Sequence, residues 1–273
     1  MISVIISTQD KALLDRVSEN INNTIGVDFE IVPIENKGRY SICEAYNKGV
    51  AKSNYSYLCF VHEDVLFKTK DWGNRLISIM KADTKIGLIG IAGTKFRSSY
   101  PSAIGQGPGL QRFLRGNIYH WDIYKDFDVS NNKKEIEDVV CIDGVFMFSK
   151  KDVFINCRFD EKLLTHFHGY DIDFSLQVFF HSYRVVVDRN VLIAHYSNGN
   201  YVGQNTIANR KVGRKWIMKL PVATLDTKLS EIEIRILDIL NWIYFLKTAF
   251  LRNIKTILVQ LKINNKMSKD IKK

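Results

Sequence analysis

Strand and helix patterns alternate through the first ninety residues of this 273-residue chain. Apolar and β-branched runs predict strands at residues 2–7, 29–34, 57–61 and 86–92. Helices are predicted between them, one capped by Asp10, one from Ser41 through Ala51, and one that includes residues 72–80. Such alternation builds right-handed crossovers and a mostly parallel sheet with helices on its faces. We therefore predict an α/β fold.

The pattern changes after residue 92. Glycine, proline and serine cluster between residues 93 and 137, where the apolar period is lost and we predict a long loop or lid. Regular structure is predicted again for a strand pair at 139–149, a helix at 170–182, strands at 184–187 and 191–195, and helices near 207–218 and 230–261. We divide the chain into residues 1–92, residues 93–218 and a helical extension at 219–273.

Composition excludes several classes of protein. Hydrophobic residues make up 46% of the chain and charged residues 25%, which is typical of a globular protein and excludes a disordered or coiled-coil chain. The four cysteines have no C-x-x-C spacing, so a zinc knuckle, a redox pair and a secreted disulfide framework are not predicted. We see no export signal and no run of 18 apolar residues, and we expect a cytoplasmic protein.

A polar triplet, His62-Glu63-Asp64, follows the apolar run at 57–61 and precedes the apolar pair Val65-Leu66. A carboxylate inside a buried strand is unfavourable unless its charge is paired or bound to a cation. We therefore expect the triplet at the carboxyl end of a strand, where open α/β sheets bind ligands. It is a candidate metal and phosphate site, and an ordinary polar turn is the alternative.

Two aspartates begin the helix predicted at residue 170. Residues two apart point about 200° apart on a helix, so Asp171 and Asp173 cannot both face one site. Asp171 shares its side with Ser175, away from the apolar face, and is the better candidate. The alternative is that both aspartates only stabilise the positive end of the helix dipole.

Histidines supply the remaining candidate ligands. His195 ends the strand at 191–195 as Asp64 ends its own strand, so the two side chains could converge on a metal. A histidine held only by structural hydrogen bonds is the alternative. His166 and His168 have an H-x-H spacing that could serve a metallohydrolase.

Taken together, the motifs resemble the GT-A glycosyltransferases of family 2, over about residues 2–201. The motifs that carry this resemblance are the strand at 3–8, Ala45-Tyr46-Asn47-Lys48-Gly49, His62-Glu63-Asp64, Asp143-Gly144, Tyr170-Asp171 and His195. The resemblance implies a GT-A type fold and a metal-dependent, inverting transfer of sugar from a nucleotide sugar. It also implies that the acceptor is a hydroxyl of a glycan or a lipid-linked molecule, in cell-surface polysaccharide or glycolipid assembly.

The resemblance also implies roles for segments and for particular residues. Residues 1–92 would be the nucleotide-sugar binding half, and residues 93–218 the acceptor and catalytic half. Asp171 resembles the general base, and Asp64 with His195 resembles the ligand set for Mn²⁺ or Mg²⁺. The residues implied in binding the nucleotide sugar, which we expect to be linked to UDP, are Thr8, Glu35, Asn36, Asn47, His62, Glu63, Asp64 and Gly144.

The chain departs from the family pattern at three places. His62 stands where the first aspartate of D-x-D is usual, and Tyr170 replaces the glutamate of an E-D motif. Glu35-Asn36 replaces the usual aspartate pair after the second strand. An imidazole ligand makes the predicted metal site favour Mn²⁺ over Mg²⁺. A catalytically silent nucleotide-sugar binding protein, and a metallohydrolase using His62, His166 and His168, are the alternative functions.

The C-terminal extension is amphipathic and basic. Apolar residues recur three and four apart between Ile232 and Leu261, and from Lys247 onward eight basic residues face one acid, Asp270. This helix could pack on its own domain, pair with a second copy in a homodimer, or lie on an anionic membrane, where a lipid-linked acceptor resides. We expect no nucleic-acid partner.

Overall fold

The computed structural model describes residues 1–121, 123–128, 133–197 and 204–270. The strands are β1 (Ile2–Thr8), β2 (Phe29–Glu35), β3 (Tyr57–Val61), β4 (Val65–Phe67), β5 (Ile86–Gly90), β6 (Ala92–Thr94), β7 (Phe96–Arg97), β8 (Leu114–His120), β9 (Ile123–Asp126), β10 (Ile136–Val139), β11 (Cys141–Ile142), β12 (Phe146–Lys150), β13 (Arg184–Asp188), β14 (Ile193–His195) and β15 (Val222–Ala223). The α-helices are α1 (Lys11–Thr24), α2 (Ile42–Lys52), α3 (Trp72–Ala82), α4 (Tyr170–Phe180), α5 (Gln204–Trp216) and α6 (Glu231–Asp270).

The central sheet has seven strands in the order β10-β13-β5-β12-β3-β1-β2. Strands β2, β1, β3, β5 and β13 run in one direction, and β12 and β10 run in the other. The sheet is therefore mostly parallel, which confirms the prediction made from the alternating pattern. Because β12 is antiparallel to β3, with Phe146 opposite Val61, the start of β12 lies beside the end of β3.

Helices cover both faces of this sheet. On one face Ile5 packs in a cluster with Tyr46 of α2 and Phe174 of α4, and on the other face Val4 packs in a cluster with Trp72 of α3. Successive side chains of a strand point to opposite faces, so a strand covered on both sides reads as a continuous apolar run. That is why β1 was recognisable in the sequence.

Local signals also place the helix starts. The carboxylate of Asp10 accepts hydrogen bonds from the amides of Ala12 and Leu13, which begin α1. The hydroxyl of Ser41 accepts one from the amide of Glu44 in α2. Each cap satisfies amides that have no partner inside the helix, and both predicted caps are confirmed.

A second sheet corrects two expectations. Its six strands include the path β11-β6-β8-β14-β4, with β9 paired to β8. The predicted loop at 93–137 is therefore wrong in part, because the segment contains β8 and β9. The sequence did not reveal β8 because Gly116 and Asn117 interrupt its apolar residues. The predicted strand pair at 139–149 is also wrong, since β11 bonds to β6 whereas β12 bonds to β3 and β5.

The C-terminal extension is attached to the rest of the chain. Strand β15 pairs with β7, and the buried Asp238 of α6 accepts hydrogen bonds from the hydroxyls of Ser98 and Ser99 at 2.6 and 2.5 Å. Tyr100 stacks on Phe245 with ring centroids 4.1 Å apart. One face of α6 thus packs on its own domain. Within the described part of the chain, no helix has the length and hydropathy needed to cross a membrane.

Candidate active site

A cavity of about 470 Å³ opens where the ends of the two sheets meet the start of α4. The polypeptide reaches it from β3 through His62 and Asp64, from β14 through His195, and from α4 through Asp171. Gly144, just before β12, also lines it, because β12 starts beside the end of β3. The predicted strand-end residues are therefore brought to one place.

The pairing of β14 with β4 determines where His195 lies. His195 is opposite Val65 in this antiparallel pair, so its ring comes next to Asp64. The amide of Tyr196 donates a hydrogen bond to the carbonyl of Asp64 at 2.9 Å, which continues the pairing of β14 with β4 by one residue. His195 Nε2 lies 3.3 Å from Asp64 Oδ1. The register of β14 on β4 therefore brings the side chains of Asp64 and His195 together, as expected from their positions at strand ends.

The donor set on this wall fits a divalent cation. Asp64 Oδ1 and His195 Nε2 are buried, and apart from their 3.3 Å contact with each other neither has a partner among the described residues. His62 Nδ1 lies 3.9 Å from Asp64 Oδ1, and one ligand atom of each of these three residues lies within 4.8 Å of the others. Buried polar atoms left without partners are costly unless something binds them. Two imidazoles and a carboxylate suit Mn²⁺ better than Mg²⁺.

Charge on this wall is set by burial and by the neighbouring rings. Burial opposes the ionised form of Asp64, but the adjacent His195 and His62 outweigh it, and the pKa of Asp64 lies below its ordinary value. Burial lowers the pKa of His62 to about 4, against the opposite effect of Asp64. His62 is therefore neutral at neutral pH, as a metal-binding imidazole must be.

Tyr170 determines which nitrogen of His62 is free. Its hydroxyl donates a hydrogen bond to the carbonyl of Gly144 at 3.0 Å and lies 2.8 Å from His62 Nε2. The hydroxyl has one proton, and a carbonyl can only accept, so both contacts are hydrogen bonds only in the tautomer in which His62 Nε2 donates to Tyr170. The lone pair of neutral His62 is then on Nδ1, the nitrogen that faces Asp64. Tyr170 thus positions a ligand where the family pattern has a glutamate.

Asp171 lies on another wall of the same cavity. Its Oδ2 accepts a hydrogen bond from the amide of Gly144 at 3.2 Å. Burial, and then the nearby charge of Asp143, raises the pKa of Asp171 to about 7. A carboxylate with a pKa near 7 is suited to accept a proton at neutral pH.

Asp173 points elsewhere, as the helical spacing predicted. Its buried carboxylate accepts hydrogen bonds from Trp216 Nε1 and Lys215 Nζ, both at 2.8 Å. This carboxylate is therefore committed to joining α4 to α5.

Glu63 supports the turn after β1. Its Oε2 accepts hydrogen bonds from Thr8 Oγ1 at 2.5 Å and from the amides of Gln9 and Asp10 at 3.0 and 3.2 Å. Thr8 and Glu63 thus bind each other and hold the loop between β1 and α1. They are brought together at the same sheet edge as the cavity without lining it.

The remaining candidates for nucleotide binding lie on neighbouring elements. Asn36, buried at the end of β2, donates from Nδ2 to Ser7 Oγ at 3.2 Å and accepts from the amide of Tyr40 at 2.8 Å, whereas Glu35 is exposed. Asn47 of α2 donates to the carbonyl of Phe159 and to Glu161, both at 2.9 Å. Its amide is therefore engaged with the loop after β12, outside the cavity.

Two residues at this site belong to the sequence motifs, but their roles here were not predicted. Asp143 lines the cavity and raises the pKa of Asp171, and Tyr170 orients His62. The position of Asp143-Gly144 directly before an apolar strand was a signal for the first residue. No signal in the sequence pairs Tyr170 with His62, which is 108 positions away.

The fold is of the GT-A type, and the family match makes the protein a transferase. The chain belongs to the glycosyltransferase-like family, whose model matches residues 3–216. No curated protein matches it by sequence.

A solved glycosyltransferase structure shares the architecture. The structure of GalNAc-T7 with UDP, GalNAc and Mn²⁺ is similar with a TM-score of 0.57 and 14% identity, covering 80% of this chain and 49% of that chain. The chain thus spans about half the length of that relative. A197 from STIV is less similar, with a TM-score of 0.41, 13% identity, and coverage of 72% of this chain and 86% of that chain.

Proposed function

We propose that this protein transfers a sugar from a nucleotide-sugar donor to a hydroxyl group with inversion at the anomeric carbon, and that it requires a divalent cation. The observation that carries the proposal is that one cavity combines the ligand set of His62, Asp64 and His195 with Asp171, whose pKa is near 7. Residues 1–92 would then bind the nucleotide, and residues 93–218 would form the acceptor side.

The donor half of the reaction uses the wall formed by β3 and β14. Asp64, His195 and the Nδ1 of His62 would hold Mn²⁺ or Mg²⁺, which neutralises the charge that grows on the diphosphate leaving group. Asn36, at the end of β2, and the loop supported by Glu63 would contact the nucleotide. UDP is the nucleoside diphosphate that we propose, because it is the one bound in the similar GalNAc-T7 structure.

The acceptor half uses Asp171. Its ionised carboxylate takes the proton from the acceptor hydroxyl as that oxygen attacks the anomeric carbon. Attack from the side opposite the diphosphate inverts the configuration, and it needs one base rather than the paired carboxylates of a glycosidase. The amide of Gly144 holds Asp171 in place through its hydrogen bond.

We further propose a glycan or lipid-linked acceptor in the assembly of cell-surface polysaccharide, and a cytoplasmic location. The four cysteines are free and buried, which favours a reducing compartment. A metallohydrolase is not supported, because within the described residues the metal-capable group contains neither His166 nor His168.

The test measures release of nucleoside diphosphate from a panel of nucleotide sugars, with Mn²⁺ or with a chelator, for the wild type and for Asp171→Asn. We expect release that requires the metal. We also expect the variant to lose at least about a hundredfold in turnover while its donor affinity is unchanged. Full activity of Asp171→Asn would rule out Asp171 as the general base. Tight donor binding without turnover on any donor would identify a silent binding protein.

A further inference from the structure

The side of α6 that faces away from the domain carries an apolar stripe. We call this stripe the outer face of α6; its residues are Ile232, Ile236, Ile239, Ile243, Leu246 and Phe250. They recur at spacings of three and four, so they lie along one side of the helix. Each is between 50 and 71% exposed. An apolar patch of this extent is typical of a surface that binds a partner.

A cavity of about 420 Å³ lies beside this stripe, between α5 and α6. Trp242, Phe245 and Leu246 form its apolar wall, and Leu246 belongs to the outer face as well. Arg210 and Arg214 line the α5 side, one helical turn apart and both exposed. Neither arginine forms an ion pair with any residue that the structure describes. The apolar stripe is thus bordered by two unneutralised guanidinium groups.

We propose that the outer face of α6, together with Arg210 and Arg214, docks on the surface of an anionic lipid bilayer. A surface that combines exposed apolar side chains with cations matches the acyl boundary and the charged headgroups of such a bilayer. Residues 239–269 of this helix contain six lysines or arginines and no acid, whereas its acids lie in the first turns, at Glu231, Glu233 and Asp238, and at its last residue, Asp270.

Charge also distinguishes this partner from a second copy of the chain. A two-fold dimer brings the same patch of both subunits together. The cations Arg210, Arg214 and Lys247 of both subunits would then come together at one apolar contact, where like charges repel. Anionic headgroups neutralise them instead.

Docking in this way would place the catalytic cavity beside the bilayer. Asn209 of α5 lines the catalytic cavity, and its neighbour Arg210 lines the cavity at α6. Likewise Ala103 lines the first cavity and Pro101 the second. A lipid-linked acceptor would therefore be within reach of the site. This consequence rests on the proposed function, whereas the docking itself does not.

Flotation with vesicles tests the docking without any measurement of activity. The full chain is mixed with vesicles of phosphatidylcholine, with or without phosphatidylglycerol, at low and high salt. We expect binding only to the anionic vesicles, weakened by salt. The double variant Arg210→Gln, Arg214→Gln should bind more weakly by about fivefold for each arginine removed. Ile239→Gln with Ile243→Gln should lose binding as well, because these side chains supply the apolar contact.

Matched controls keep the charge and polarity changes constant. Lys52→Gln with Lys81→Gln removes two exposed cations from α2 and α3, and Ile123→Gln with Ile155→Gln changes two isoleucines that are 69 and 74% exposed elsewhere. Both controls should float like the wild type. Equal binding to neutral and anionic vesicles, or unchanged binding by both test variants, would overturn the proposal. The proposal would also be overturned if the wild type did not float and light scattering showed it to be a dimer. In that case Ile239→Gln with Ile243→Gln would convert the dimer to a monomer.

Discussion

Replacing Asp171 with asparagine should make the protein more stable at neutral and alkaline pH. Burial and Asp143 raise the pKa of Asp171 from 3.8 to about 7, so the folded protein disfavours the ionised carboxylate. Asparagine has a similar shape, carries no charge, and can still accept the hydrogen bond from the amide of Gly144. The substitution therefore removes the free-energy cost of burying an ionised carboxylate in the folded protein.

The magnitude follows from the linkage between protonation and folding. Between about pH 4 and pH 7 the folded state binds the proton of Asp171 more tightly than the unfolded state does, so stability from this group is present at low pH and is lost as pH rises. At about 1.4 kcal/mol for each pKa unit, the full loss is roughly 4 kcal/mol, and the partial exposure of the side chain reduces it to about 2–4 kcal/mol. Asp171→Asn should avoid this loss.

Urea unfolding of wild type and variant, across about pH 4 to pH 8 without metal or donor, measures the effect. We expect the advantage of Asp171→Asn to grow with pH and to level off above about pH 7.5. Asp173→Asn is the matched control. It should destabilise the protein at pH 8, because Lys215 and Trp216 bind that carboxylate. If Asp171→Asn gains nothing as pH rises, or is destabilised like Asp173→Asn, the burial argument is refuted.

Four further predictions concern this site and the predicted nucleotide-binding residue Asn47. The transfer rate should rise with pH through about 7 and then level off, because Asp171 acts in its ionised form; a rate that is flat across this range would contradict its role. Tyr170→Phe should weaken Mn²⁺ binding by about tenfold in a calorimetric titration, since it frees the tautomer of His62; an unchanged affinity would rule out that positioning. Gly144→Ala would place a Cβ 2.3 Å from the Tyr170 hydroxyl, so thermal unfolding should show a loss of about 1–3 kcal/mol, and a stability equal to wild type would contradict the geometry. Asn47→Ala should lose about 1 kcal/mol of stability and keep its donor affinity, and a weaker donor affinity at unchanged stability would instead favour nucleotide contact by Asn47.

The sequence was sufficient for the part of the fold whose strands are buried on both faces. β1 and β3 read as continuous apolar runs, and Asp10 and Ser41 identified the helix starts. The second sheet was missed because β8 contains Gly116 and Asn117, and β9 is exposed throughout, so neither has a clear period.

The site was predictable where local rules apply. Strand ends and helical spacing predicted that Asp64, His195 and Asp171 come together, and these residues line one cavity, because the elements that carry them were visible in the sequence. The bond between His62 and Tyr170 depends on side chains 108 positions apart, and the engagement of Asn47 depends on a loop 112 positions away. Such contacts follow from tertiary packing, which local patterns do not specify.

The most direct test of the central claim is calorimetric titration of UDP into the protein, with and without Mn²⁺, for wild type and for Asp64→Asn. If His62, Asp64 and His195 hold the cation that binds the diphosphate, Mn²⁺ should strengthen UDP binding to the wild type by at least about tenfold and should have no effect on the variant. Equal strengthening of UDP binding by Mn²⁺ in both proteins would contradict the assignment of this metal site.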